Sequence, residues 1–444
     1  MRSICNRVHS GPLQALMRRM MKPVTMARTA GWAFVLGWVL SLGACQQSFT
    51  QNPPETHSKP NEVKLETRIQ SRDFPSVFQA WYGIDMPDYP QDQLEQRLTA
   101  AAKHDLLWEE PLSQLGEGKP LVLGLVWEGD YQGLASGFTA ESLQQALANR
   151  KRLLELNPNM TFLFEIRWRD APRSFLPEDS PFWKKDENGE VIKGWLGGWE
   201  PFYMLNYDHP AFIENVARQA EIALQSGVYD GVMLDWSGHL PIIQKVRAAI
   251  GKEGLIIVNI HDDIADGERY KDYINGAFME LNPEDYSTLS ASGSDRNLRN
   301  WGTIREALLW FEDNFQSPVI NCLEVWGDRK DLARMRATTT LALTHSNAYV
   351  LYGDPNPLPT PDHLHDWYAF WDVPLGTPQG SMQQLENGAF LREFEGGTVV
   401  YNHYGNGPVN ITFDQGKKRI STGETGKRFS IADRDGDIFL DTPN

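Results

Sequence analysis

The feature that most constrains this chain is an alternation. From residue 74 onward, runs of five to eight residues rich in β-branched and aromatic side chains are separated by longer segments in which apolar residues recur every three or four positions. The short runs suit pleated strands, and the longer segments suit helices with one apolar face. Their regular exchange predicts parallel βα units rather than a sandwich. The strand-like runs are Val77–Gly83, Leu121–Trp127, Thr161–Trp168, Gly231–Trp236, Leu255–Ile260, Gly276–Leu281, Val319–Trp326 and Ala348–Tyr352. Eight is the number that closes a barrel, so the expected fold class is α/β, a (β/α)8 TIM barrel. One assignment stays open: His104–Trp108 can serve as the second strand, which would leave Leu121–Trp127 as a hairpin or extension in the following loop. Helical periodicity marks Glu141–Leu156, Pro210–Gln225, Ile242–Ile250 and Arg329–Thr344.

After Gly376 the pattern changes to closely spaced short runs with Gly and Asn turns, at Ala389–Phe394, Thr398–Tyr401, Val409–Phe413, Arg428–Ile431 and Ile438–Leu440. This predicts a barrel over 74–376 followed by a small antiparallel β domain over 377–444.

The N-terminal end reads as an address. Residues 1–44 hold six basic residues and no acidic one, and the apolar run Trp32–Leu42 is short for a spanning helix. It ends in Leu42-Gly43-Ala44-Cys45, which resembles a bacterial lipobox. Residues 1–44 are therefore expected to be a lipoprotein signal peptide and Cys45 the lipidated, membrane-anchoring residue. Gln46 in place of Asp favours the outer membrane by the same resemblance. The polar stretch 45–73 is expected to be a tether. Cys5 and Cys322 are the other cysteines, so no disulfide is expected.

With 58 acidic and 42 basic residues the formal charge is −16, which argues against a nucleic-acid partner. Protein partners are not indicated. The acidic residues matter more for where they fall. In a (β/α)8 barrel the chemistry sits at the C-terminal strand ends, and these offer Asp85, Glu128, Glu165 with Arg167, Asp235, Asn259 with His261, Glu280, Glu324 and Asp354. Several stand beside tryptophans, among them Trp168, Trp236 and Trp326. Carboxylates with aromatic faces are what cleavage of a glycosidic bond requires: one acid protonates the leaving oxygen, another acts as nucleophile or base, and rings stack on sugars. The sharpest case is Tyr229-Asp230-Gly231-Val232-Met233-Leu234-Asp235-Trp236, an apolar run ending in a carboxylate. Asp230 is read as a turn residue and Asp235 as functional. Glu280 ends its own run two strands further on, where the two side chains can face each other.

The segment Tyr229–Trp236, with Asn206-Tyr207-Asp208-His209-Pro210 and Glu324-Val325-Trp326-Gly327, resembles the hypothetical glycosyl-hydrolase-like family numbered fifteen among bacterial exported proteins. That family is similar to barrels of the polygalactosaminidase and α-galactosidase type. The resemblance spans roughly residues 74–440 and implies a nucleophile ending strand four and an acid/base ending strand six, positions that match Asp235 and Glu280. This chain has Glu where those enzymes usually have Asp. Glu280 is expected to be kept protonated by apolar neighbours. Asp85, Glu165, Arg167, Trp236, Asn259, His261, Glu324, Trp326 and Asp354 are expected to contact substrate.

The remaining motifs read as structural. Asp433–Asp437 lacks the spacing of a calcium loop and is expected to be a hairpin turn. His363 and His365 have no metal-ligand spacing and read as satisfied loop histidines or ones standing behind the site residues, and no metal or other cofactor is expected. The stretch Arg169–Asn206 is expected to form a lid or subsite wall, with Trp183, Trp195 and Trp199 available for stacking. The function expected is an exported hydrolase of O-glycosidic bonds in a polysaccharide or oligosaccharide. The competing reading is a carbohydrate-binding or cell-envelope lipoprotein that uses the same barrel without turnover.

Overall fold

The computed structural model describes residues 63–81, 83–110, 120–196, 201–237, 239–284, 298–354 and 363–442. The expected signal peptide, Cys45, most of the tether and Trp199 lie outside the described residues.

Eight parallel strands neighbour one another in chain order: β1 (Phe78–Gln79), β2 (Leu106–Glu109), β3 (Thr161–Glu165), β4 (Gly231–Leu234), β5 (Leu255–Asn259), β6 (Gly276–Glu284), β7 (Cys322–Trp326) and β8 (Tyr349–Gly353). The ring closes where Val350 pairs in parallel with Val77 and its N–H donates to the Ser76 carbonyl at 2.9 Å. Helix α1 (Leu65–Gln70) precedes β1, and α2 (Leu94–Ala101), α3 (Ala140–Leu156), α4 (Pro210–Gln225), α5 (Leu240–Ile250), α6 (Ile264–Tyr270), α7 (Trp301–Asn314) and α8 (Leu332–His345) join successive strands. Gly231 is required at the start of β4, because a Cβ there would collide with the Leu255 carbonyl oxygen of β5.

Two expectations are corrected. The second strand is Leu106–Glu109, the option left open, and Leu121–Trp127 is not a strand. The Glu109 carboxylate accepts from the backbone N–H groups of Val122, Leu123 (2.9 Å) and Gly124 (3.3 Å), and the Asn149 amide donates to the Val122 carbonyl at 3.0 Å. Side chains thus supply the partners that a strand would have drawn from a ladder. The packed part of the chain also begins earlier than residue 74. Ile69 of α1 is buried, and Arg68 donates to Asp230 at 2.7 Å, so the end of the expected tether belongs to the barrel.

Strand alternation sends every second residue into the barrel. Phe78, Trp108 and Phe278 meet there: Phe78 stacks on Trp108 at 5.3 Å, Trp108 meets Phe278 edge-on at 5.0 Å, and Trp81 joins from just beyond β1. These rings plug the interior. One step further along the same faces come polar residues.

The C-terminal part is a six-stranded antiparallel sheet of β9 (Gln383–Gln384), β10 (Phe390–Phe394), β11 (Gly397–Asn402), β12 (Val409–Arg419), β13 (Thr425–Ile431) and β14 (Asp435–Asp441), in the order β9-β10-β11-β14-β12-β13. It packs on α8, which is buried without a break from Ala337 to His345 and has no exposed face along that stretch. Arg336 holds Asp435 with two bonds of 3.0 and 2.8 Å, and Arg392 donates to the Leu343 and Ser346 carbonyls at the end of α8. Asp433 accepts from Gly407 at 2.9 Å and Asp437 pairs with Arg419, so the Asp433–Asp437 carboxylates are spent on structure.

Candidate active site

Asp235 directly follows β4, and Asn259 and Glu280 lie on β5 and β6, where the two neighbouring strands bring them beside it. The Asn259 amide nitrogen donates to Asp235 Oδ1 at 3.0 Å and to Glu280 Oε2 at 3.1 Å. Two carboxylates on one side fix the orientation of the amide, because only its NH2 end can donate. One nitrogen shared by the two bonds keeps the two carboxylate oxygens within about 6 Å of each other. Asn259 is buried, and among the described residues its Oδ1 has no partner.

Burial on the aromatic plug pushes the Asp235 carboxyl above its ordinary range, and Asp170 adds to this. The Arg167 charge, the Asn259 amide and the Trp236 N–H, which donates at 2.9 Å, pull it back toward the ionised form. Trp168 Nε1 donates to the Asp235 carbonyl at 2.6 Å and fixes the backbone beneath the carboxylate. Glu165 stands next in the ring. Burial pushes it well up, opposed by Arg167, while Glu110 and Asp235 raise it further. Trp81 Nε1 donates to Glu165, and Arg167 pairs with Glu110 at 2.9 Å and reaches Glu165 at 3.4 Å.

On the neighbouring strand, Glu324 of β7 is in register with Glu280. Glu324 is fully buried, with Oε1 at 2.8 Å from His363 Nδ1 and Oε2 without a partner among the described residues. A ligand-type atom from each of Glu280, Glu324 and His363 lies within 4.8 Å of the other two. His261 follows β5 with Nδ1 at 2.9 Å from the Glu280 carbonyl, and burial, reinforced by Arg299, pushes its imidazole down to about 4, so it is neutral at pH 7.

The backbone is strained at this same place. Four described residues other than glycine have positive φ, and three of them end barrel strands: Trp81 (42°) after β1, Trp236 (67°) after β4 and His261 (54°) after β5. Bulky residues seldom adopt this conformation, and its concentration at one mouth is the pattern of a site whose geometry outranks local comfort.

The expected site residues therefore divide. Asp235, Asn259, Glu280, His261 and Glu324 are drawn together, with Glu165 and Arg167 beside them. Trp236 flanks Asp235, and the Arg169 guanidinium lies 3.7 Å over its ring. Trp326 ends β7 buried, its Nε1 without a partner among the described residues. Asp354 is bonded to Arg329 at 2.8 Å in a cluster that also takes Asp366, a rim clamp. Asp85 is buried in the loop after β1, where its carbonyl accepts from the His365 N–H at 3.0 Å and its own N–H donates to Gln79. Glu128 is exposed and ends no strand. Trp183 is corrected from stacking surface to core: it is buried, with Nε1 bonded to the Pro177 carbonyl at 2.9 Å. Trp81 was not expected here, whereas His363, read as a satisfied loop histidine or one standing behind the site residues, does bond one of them, Glu324. The chain positions of these two carry no sign of their neighbours, since those come from other strands.

No protein-family model and no curated protein matches the chain in sequence. Solved structures do match in fold. A noncanonic maltogenic α-amylase from Thermotoga neapolitana superposes with a TM-score of 0.50 at 10% identity, over 83% of this chain and 99% of that one. A pullulanase complexed with maltotriose from an Anoxybacillus species gives 0.51 at 11% identity, over 86% of this chain and 70% of that one. At such identity the likeness establishes a shared fold, the barrel with its C-terminal β domain.

Proposed function

We propose that this chain is a glycoside hydrolase that cleaves O-glycosidic bonds of a polysaccharide or oligosaccharide, with Asp235 as nucleophile and Glu280 as acid/base. The observation that carries this reading is the single Asn259 amide bonded to both carboxylates at 3.0 and 3.1 Å. Carboxyl groups about 5–5.5 Å apart serve a retaining mechanism, whereas inversion needs about 6.5–9.5 Å to admit a water. Asp235 attacks the anomeric carbon while Glu280 gives its proton to the departing oxygen. Water then attacks the same carbon, Glu280 takes its proton, and the ester to Asp235 breaks. Asn259 holds the spacing through both steps, and the orphaned polar atoms of Asn259, Glu324 and Trp326 suit the hydroxyl groups of a sugar. We also propose export and anchoring through a lipid on Cys45, which mass spectrometry of the native protein tests directly.

The deciding experiment is a screen of the full chain on polysaccharides and oligosaccharides, with the anomer of the first product followed by NMR. Cleavage with retention is expected. Asp235→Asn and Glu280→Gln should each lose about 10²-fold or more in rate at an unchanged melting temperature. Sugar binding by calorimetry without any cleavage would instead establish the non-catalytic reading. Full activity in either folded variant would remove that residue from the mechanism.

A further inference from the structure

Beyond Asp235 and Asn259 the mouth holds a second constellation. Glu280 and Glu324 are register partners on the adjacent strands β6 and β7, and His363, from the chain after β8, places its Nδ1 2.8 Å from Glu324 Oε1. One ligand-type atom from each of the three residues lies within 4.8 Å of the other two. Glu324 and His363 are fully buried, whereas Glu280 is half-buried. Among the described residues the Glu324 carboxylate has no lysine or arginine bonded to it, and its Oε2 has no partner. A buried carboxylate with an unpartnered oxygen calls for a cation, because burial of the anion without one is costly. The donors match a particular class of cation. Two carboxylate oxygens and one imidazole nitrogen suit Zn2+ and the neighbouring divalent transition metals, whereas Ca2+ and Mg2+ take oxygen ligands alone. Bonds of about 2.0–2.2 Å set ligand atoms about 3–4 Å apart, so side-chain rotation suffices to close the trio on an ion.

The surroundings hold these side chains in place, as the outer partners of metal ligands do. The Asn259 amide donates to Glu280 Oε2 at 3.1 Å. The His363 carbonyl accepts from the His365 Nδ1–H at 2.8 Å, the His365 backbone N–H donates to the Asp85 carbonyl at 3.0 Å, and the His363 ring packs on Trp81 at 4.9 Å. Glu280, the member that is not fully buried, gives an ion its way in from the mouth. We propose that Glu280, Glu324 and His363 form a binding site for a divalent transition-metal ion of the Zn2+ class, and that its occupancy inhibits the enzyme by taking Glu280 out of the acid step. In the occupied site the imidazole presents a lone pair and both carboxylates are ionised, their protons passing to solvent. Binding stands on the trio alone. Inhibition rests on the glycosidase reading, because a carboxylate bonded to a metal ion has no proton to give the leaving oxygen.

The test uses the full chain, stripped of metal by a chelator and dialysed, with Zn2+ alone as the probe. Calorimetry should show one equivalent bound with a Kd in the micromolar range or tighter, and the melting temperature should rise with Zn2+. Glu324→Gln and His363→Gln, checked for folding by their own melts, should each bind at least about tenfold more weakly. X-ray absorption at the zinc edge of the parent complex should show one imidazole among oxygen ligands, and it decides the case if either variant fails to fold. No binding by the parent, an unchanged affinity in both folded variants, or a zinc environment that contains sulfur or lacks imidazole would overturn the proposal. On a glycan that the parent cleaves, Zn2+ should slow the reaction and the chelator should restore it. Zn2+ that binds the trio and leaves the rate unchanged, or raises it, would overturn the inhibitory role. Zn2+ bound in the expected way by a chain that cleaves no glycan would count against the glycosidase reading while leaving the metal site standing.

Discussion

Asp230 and Asp235 flank the same strand and meet opposite demands. At the N-terminal end of β4, Asp230 accepts from Arg68 at 2.7 Å, from Arg150 at 2.8 Å and from the Phe162 N–H at 3.0 Å. Those bonds tie α1 and α3 to the barrel floor. Asp235, at the other end, is held by a neutral amide and a backbone N–H, with no cation bonded to it among the described residues. The expectation that Asp230 is a turn residue understated it. Asp230→Ala should lower unfolding stability by about 3–5 kcal/mol in denaturant titration, because two guanidinium groups are left buried without their anion. A loss below about 1 kcal/mol would show that the cluster is solvated and unimportant. Asp235→Asn should not reproduce that loss. Strand ends were legible because an apolar run that finishes in a carboxylate is costly unless the group is used or paired. The partner of His363 was not legible, because it lies 39 positions away and only the closed ring joins them.

At the level of elements, seven of the eight expected strands correspond to β1 and β3–β8, and the periodic segments fall on α3, α4, α5 and α8. The failure at Leu121–Trp127 has a local cause. Its β-branched and apolar composition is that of a strand, yet Glu109 and Asn149 satisfy its backbone from outside the run. Composition reports burial, and this segment is mostly buried while its described backbone bridging is limited to Trp127 with Phe138. Helix α8 shows the converse: its residues suit a helix, but burial all round could not be read before the β domain was seen to cover it. His345 ends this helix against the rings of Phe390 and Tyr401, and burial pushes its imidazole down to about 3. A histidine kept neutral by folding stabilises fully above its unfolded value of about 6.5, and that contribution is lost as pH falls toward 3. His345→Phe should therefore flatten the acid side of the stability profile. The gap between parent and variant should change by about 1.4 kcal/mol per pH unit below 6.5. Parallel profiles for the two proteins would mean that another group carries the acid sensitivity.

In the whole molecule the barrel and the β domain share α8. Cutting the chain after Gly376 removes Arg392 from the end of α8, Asp435 from Arg336 and the rings that cover His345. The shortened chain should melt at a lower temperature or aggregate, and the full chain should unfold in a single calorimetric transition that includes both parts. Two well-separated transitions would show that the shared helix couples them weakly. This joint dependence could not be seen in the sequence, where residue 376 looks like a boundary between two self-sufficient patterns. Anyone wishing to move this constellation of carboxylates into another protein would find that the transferable piece is not the eight-stranded ring. A ring transplanted alone arrives with helix α8 uncovered on one side, so the graft must carry its own backing from Leu65 through Asp441.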